Sequence, residues 1–216
     1  MTTATYTAGD AITQAFRMAA ITSKDQTVEA DDTAYALTVL NRMLKSWQAA
    51  ESFDWLDTYM SHAVTAAAAQ TLSPVRPVRI AHVNYRQNGI DRPMVEMTRS
   101  EYDHLPNKSA TGEPTTYYYD RQREAAILYI WPVPTNVSGK TLEITYEREF
   151  PDLVATTDVL DVPSEYWNAV VACLADMLAQ DYQVNNPGLS QRSATAYAEM
   201  VASQNTGSVW FGEPQY

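Results

Sequence analysis

Helical periodicity occupies both ends of this 216-residue chain and a strand texture fills its middle, an order that few folds accommodate. At the start, Ile12, Ala15, Phe16 and Ala19 recur at helical spacing behind a capping pair, Thr7 and Asp10, so a first helix is expected to end near Thr22. Thr27 reads as the N-cap of a second helix, with Glu29, Asp31 and Asp32 in its first turn. Leu37, Leu40, Leu44 and Trp47 form the apolar stripe of that helix, which extends to about Ala50.

From Phe53 to about Phe150 aromatic and β-branched residues alternate with turn signals. Strands are expected over 58–65 and 71–84, around the alanines of 66–69. Asn88-Gly89 marks a hairpin, because both residues tolerate positive φ. Thr98 and Glu101 form a capping box that opens a short helix, 100–105. Tyr117, Tyr118 and Tyr119 begin a strand that pairs with Ile127 to Trp131, where Pro132 and Pro134 stop the ladder. Leu142, Ile144 and Tyr146 alternate with Glu143, Thr145 and Glu147, the pattern of a half-buried strand with its acids outward.

Helix returns after Asp161, with Pro163 in the first turn. Tyr166, Val170, Cys173 and Met177 share one face there, widened by Trp167, Leu174 and Leu178. After Pro187-Gly188, a last helix carries a weaker stripe of Ala194, Tyr197, Ala198 and Val201. The reading is an α+β fold: a helical bundle built by the two ends (7–50 and 163–203), an inserted antiparallel β-rich module (53–150), and an extended tail, 205–216. Residues 1–204 are expected to form one domain, since no Gly- or Ser-rich linker separates two.

The lone cysteine, Cys173, excludes an internal disulfide and a paired-thiolate zinc site. The opening ten residues hold no basic residue and no apolar run, so neither a secretory nor a transit signal is expected, and no stretch is long and apolar enough to span a membrane. A formal net charge of −11 argues against general nucleic-acid binding. It is unevenly placed: residues 1–75 carry −4, residues 76–123 carry +2, and residues 124–216 carry −9.

Enzyme chemistry finds little support. Seven glycines form no G-x-G-x-x-G, P-loop or G-x-S-x-G motif, and His62, His82 and His104 are too scattered for a local metal site, so no cofactor or metal is expected. Cys173 reads as a buried hydrophobe. Paired acids such as Glu143 and Glu147 are the raw material of a glycosidase, but on an outward strand face solvation leaves them ordinary carboxylates. Arg76, Arg79, Arg86, Arg92 and Arg99 are the one basic cluster, and strand alternation divides them between faces.

In order along the chain, the run Leu40 to Trp47 (LNRMLKSW), Phe53-Asp54-Trp55, Arg76-Pro77, Pro93-Met94, Gly112-Glu113-Pro114, Leu128 to Pro134 (LYIWPVP) and Asp158 to Trp167 (DVLDVPSEYW) resemble the head-to-tail adaptor family of short-tailed bacteriophages, also called tail accessory or packaged-DNA-stabilising proteins. The resemblance implies a non-catalytic virion protein at the head–tail junction, made in the bacterial cytoplasm. It implies a ring, a dodecamer in that family, beneath the portal protein, with packaged DNA passing unbound through its channel and tail nozzle or fibre proteins attached below. It also implies a C-terminal arm that docks on the portal, which makes Val209, Trp210 and Phe211 the portal-binding candidates, the alternative being that they fold back on their own subunit. Leu44, Trp47, Trp131, Trp167 and Leu174 are the core or assembly candidates. Rival readings are a neck connector of a long-tailed phage, a virion-borne cell-wall glycosidase and a DNA-binding protein.

Overall fold

The computed structural model describes residues 5–73, 76–123 and 125–204. Along the chain the elements are α1 (Ala8–Met18), α2 (Ala30–Ala50), β1 (Asp57–Ala63), β2 (Ala69–Leu72), β3 (Arg79–Gln87), β4 (Ile90–Pro93), β5 (Val95–Glu96) and α3 (Arg99–Asp103). There follow β6 (Thr116–Arg121), β7 (Ala126–Trp131), β8 (Lys140–Glu147), α4 (Trp167–Asp181) and α5 (Leu189–Gln204), so the α+β reading holds. The chain divides into two compact units, a helical one over Met1–Trp55 and Phe150–Tyr216 and a β one over Leu56–Glu149.

In the helical unit α1 begins on the expected capping box: the Thr7 hydroxyl accepts from the Asp10 amide at 3.2 Å, and the Thr7 amide donates to the Asp10 carboxylate at 3.0 Å. Two more first-turn amides, of Ala8 and Gly9, donate to the carbonyls of Asp158 and Thr156 at 2.8 Å. A Cβ at Gly9 would meet the Thr156 carbonyl oxygen at 3.1 Å, a contact tight enough that the neighbouring backbone would have to give by a few tenths of an ångström. The helix ends at Met18, before the expected Thr22, because Ala20 turns left-handed (φ 61°) and the Ile21 amide reaches back to the Phe16 carbonyl. The same motif closes α4, where Gln183 is left-handed (φ 55°) and the Val184 amide donates to the Ala179 carbonyl.

Helix α2 starts two residues later than expected. Glu29, not Thr27, is the N-cap, and its carbonyl accepts from both the amide and the hydroxyl of Thr33. The buried face of α2 comprises Ala36, Val39, Leu40, Met43, Leu44, Trp47 and Gln48, with Leu37 at its edge. On α4 the most buried positions are Val170, Ala172, Leu174, Ala175 and Leu178, so the core face is rotated from the expected one; Tyr166, Cys173 and Met177 are half-buried. On α5 Leu189, Ser193, Ala196 and Met200 face inward, and Ala194 and Ala198 face solvent. Apolar residues lie on two sides of both helices, and packing against the neighbouring helices decided which side was buried. The expected tail, 205–216, lies outside the described residues.

The β unit is two sheets sharing one core, ordered β1-β8-β3-β4 and β2-β7-β6-β5. All pairings are antiparallel except the short β5–β6 pair. The β3–β4 hairpin turns at Asn88 (φ 53°) and Gly89 (φ 76°), as the dipeptide required. Val83, Tyr85, Leu142 and Ile144 of the first sheet meet Tyr117, Tyr119, Leu128 and Ile130 of the second. Tyr119 keeps its hydroxyl satisfied on the Pro77 carbonyl at 2.5 Å. Helix α3 begins on the expected capping box of Thr98 and Glu101.

Candidate assembly surfaces

The two acids of β8 are the largest departure from expectation. Strand β8 is an interior strand, flanked by β1 and β3, so side chains from both neighbours close over its second face. Glu143 and Glu147 are 3% and 1% exposed, not solvated. Glu147 pairs with the Arg79 guanidinium at 3.3 Å across the β3–β8 register. Glu143 gathers three donors on Oε1: the Ser61 hydroxyl at 3.0 Å, the Thr141 hydroxyl at 2.5 Å and the Arg86 guanidinium at 3.3 Å. Its Oε2 has no partner among the described residues, and burial holds this carboxyl above its usual range. The pair is thus built into cross-strand contacts.

The arginines of the basic cluster are similarly engaged. Arg86 also forks onto the Asp91 carboxylate at 2.6 and 2.7 Å, Arg92 pairs with Glu113, and Arg99 pairs with Asp103 at 3.5 Å. Arg76 donates to the Gln122 carbonyl at 2.8 Å. Four of the five guanidiniums in the basic cluster therefore face carboxylates of their own unit, which leaves little of it for phosphates. His62 and His82 lie on β1 and β3, and His104 caps α3. No group of three or more His, Cys, Asp or Glu residues able to hold a metal ion occurs among the described residues. Burial pushes the Cys173 thiol up to about 11, the opposite of what a thiolate nucleophile needs. No described helix is long and apolar enough to cross a membrane.

The helical unit is organised around the α2 motif. Leu40, Met43, Leu44 and Trp47 face the core, and the polar residues beside them hold the extended segment that follows β8. Asn41 exchanges two hydrogen bonds with the backbone of Leu153, at 2.8 and 2.9 Å. The Lys45 ammonium donates to the Phe150 carbonyl at 2.5 Å and pairs with Asp152 at 3.2 Å, while the Gln48 amide oxygen accepts from the Phe150 amide. Sequence reasoning missed this clamp. Its signal was present in polar residues at 41, 45 and 48, a helical spacing flanking the apolar stripe.

A belt of aromatic rings lies on the same unit. Trp167 stacks on Tyr6 with ring centroids 4.2 Å apart and donates from its indole N–H to Gln14. Trp55 stacks on Tyr166 at 5.0 Å and donates to the Asp161 carbonyl. Of the assembly candidates, Leu44 and Leu174 are fully enclosed, Trp47 is nearly so, and Trp167 and Trp131 are half-buried. Trp131 lies on β7 in the other unit, its indole N–H donating to the Asn107 carbonyl at 3.0 Å. Val209, Trp210 and Phe211 lie outside the described residues.

Charge separates the units sharply. The helical unit holds fifteen acidic residues against five basic ones, a balance of −10, and the β unit eleven against ten, a balance of −1.

Comparison with curated proteins finds no match. Among solved structures, a chain from one described as "Neck of empty GTA particle computed with C6 symmetry" is 16% identical, with 87% of this chain and 85% of that chain covered, at a TM-score of 0.27, too slight a likeness to bear on the fold. The family model described as SU10 adaptor protein matches residues 6–213, nearly the whole length, and takes in both helical ends and the β module between them. The chain belongs to the SU10 adaptor protein family.

Proposed function

We propose that this chain is a structural subunit of a virion's head–tail junction, a head-to-tail adaptor that forms a ring under the portal, extends the DNA channel, helps to retain packaged DNA and gives the tail proteins a platform. The match to an adaptor family from residue 6 to residue 213 carries the proposal. Two physical observations support it. A balance of −10 on the helical unit disfavours a grip on phosphates, as a surface along which DNA slides requires. The buried acids of the β unit, Glu143 and Glu147, are engaged with its arginines across the strands, as structural ion pairs are.

Within this reading, residues 1–204 act as one adaptor domain, and the segment 205–216 docks on the portal through Val209, Trp210 and Phe211. Leu44, Trp47 and Leu174 maintain the helical core, and Trp131 and Trp167 serve the core or the contacts between copies. The deciding measurement is native mass spectrometry of the purified chain with and without its cognate portal ring. A closed ring of many copies on the portal is expected, a dodecamer if stoichiometry follows the portal's. A chain that stays monomeric and ignores the portal ends the proposal. Truncation after residue 204 is expected to leave the melting temperature unchanged and to weaken portal attachment.

A further inference from the structure

Within the β unit a cavity of about 460 Å³ opens where the chain crosses from the first sheet to the second. Strand β4 leaves β3 at the Asn84–Pro93 pair, and the Met94 amide makes a last hydrogen bond to the Val83 carbonyl at 2.9 Å. Strand β5 then joins β6, with Glu96 opposite Tyr117. Five polar side chains line the cavity: His82, Asn84, Glu96, Tyr117 and Thr145. Among the described residues none of the five makes a side-chain hydrogen bond or an ion pair.

The nearby arginines do not serve this cavity. Arg86 is held by Glu143 and Asp91, and Arg92, one residue before Pro93, is held by Glu113. Glu96 is exposed and has no cation within ion-pair distance among the described residues. Tyr117 is only 3% exposed, and a tyrosine so enclosed ordinarily has a partner for its hydroxyl. Burial, with the Glu96 carboxylate nearby, pushes that hydroxyl up to about 12, so it keeps its proton at neutral pH. The rest of the lining is mainly aliphatic, with Val83, Pro93 and Met94. A lone carboxylate repels phosphates and other anions, and the enclosed Tyr117 ring gives a sugar no face to stack on. An aliphatic stem with a cationic head suits both parts of the lining, because its methylenes pack on apolar surface while its head meets the carboxylate.

We propose that this cavity binds an alkyl cation, a guanidinium or ammonium group on an aliphatic stem. Glu96 is its counter-ion, the side-chain oxygens of Asn84, Tyr117 and Thr145 accept its hydrogen bonds, and Val83, Pro93 and Met94 hold the stem. The inference goes beyond the adaptor reading and does not rest on it. Such a cation is available from two sources, an arginine or lysine side chain of a neighbouring subunit or a free polyamine, and the test separates them.

Butylguanidinium is titrated into the isotope-labelled full-length chain and followed by NMR, with 1-butanol as the uncharged control. Backbone amides of residues 82–84 and 94–97 should shift saturably with the cation, at a dissociation constant of roughly millimolar for so small a probe. Glu96→Gln should weaken binding at least about tenfold. Tyr117→Phe removes a hydroxyl that has no partner in the fold, so it should weaken binding a few-fold and leave the melting curve unchanged. No saturable shift, an equal shift with butanol, or undiminished binding by Glu96→Gln overturns the proposal. Glu96→Arg, checked by its melting curve, then assigns the source. A folded variant that no longer assembles with itself or on the portal ring places the cation on a neighbouring subunit. One that assembles as wild type does but has lost the wild type's binding of spermidine places it on a free polyamine. Normal assembly of the variant, together with a wild type that ignores spermidine, also overturns the proposal.

Discussion

The helical and β units use ionisable groups in opposite ways. In the β unit charges of both signs meet across the fold: Arg79 on Glu147, Arg86 on Glu143 and Asp91, Arg92 on Glu113, Arg99 and Lys108 on Asp103. In the helical unit Lys45 pairs with Asp152 and Arg42 with Asp181, against a surplus of ten acids. The cores differ in parallel. Helices α1 and α4 bury alanines (Ala8, Ala11, Ala15, Ala172, Ala175, Ala179), which let backbones approach closely, whereas the sheets bury tyrosines and branched aliphatics. Charge in the β unit is thus part of its internal architecture, while charge in the helical unit is a field presented outward, subject to screening by salt.

The largest effects should come from the two cores. Leu174→Ala in the helical unit and Leu128→Ala in the β unit each remove a side chain with no exposed surface, and each should cost about 2–5 kcal/mol. Calorimetry of the two variants then tests the single-domain proposal. One transition lowered by both substitutions supports it, and two transitions that respond separately would break it. Next in size is Glu147→Gln, which leaves the Arg79 guanidinium without its carboxylate. Arg79 is 29% exposed and water can reach it, so a loss of about 1–3 kcal/mol is expected, read from urea midpoints. A neutral outcome would mean that the β unit's ion pairs are incidental to its fold.

Local chemistry was legible in the sequence, and burial was less so. The capping boxes at Thr7 and Thr98 and the Asn88-Gly89 turn rest on hydrogen bonds or dihedral angles within four residues, so adjacent residues specify them. The order of motifs from Leu40 to Trp167 pointed to the adaptor family that the family match shows. The fate of Glu143 and Glu147 depended instead on β8 lying between β1 and β3, a topological fact that alternation along one strand does not contain. The inward face of α5 was similarly a matter of which neighbour it met. The end of α1 was missed for a different reason. A glycine normally announces a left-handed cap, and here Ala20 occupies it.

That position offers a smaller test on the helical side. Ala20 holds φ 61° with a Cβ that disfavours it, so Ala20→Gly should raise stability by about 0.5–1 kcal/mol, measured as a shift of the urea midpoint. Destabilisation would show that the alanine methyl has packing value that outweighs the strain.

The smallest expected change is also the most discriminating for the β unit. Glu143 and Glu147 lie on one strand and face arginines at the same 3.3 Å, yet Glu143 has an oxygen without a donor and a carboxyl held above its ordinary 4.5 by burial. A carboxyl whose folded value is raised binds its proton more tightly in the folded state, so its contribution is greatest below the unfolded value and declines as pH rises through the window above it. Glu143→Gln removes that decline while keeping a side chain that accepts from Ser61 and Thr141. Urea midpoints at pH 4 and pH 7 should therefore show the variant gaining on the wild type as pH rises, by no more than about 1 kcal/mol. A variant that loses ground between those values would mean that Arg86 stabilises the Glu143 carboxylate more than burial penalises it. In that case both acids of β8 are working ion pairs, and internal neutralisation in the β unit is more complete than the orphaned oxygen suggests.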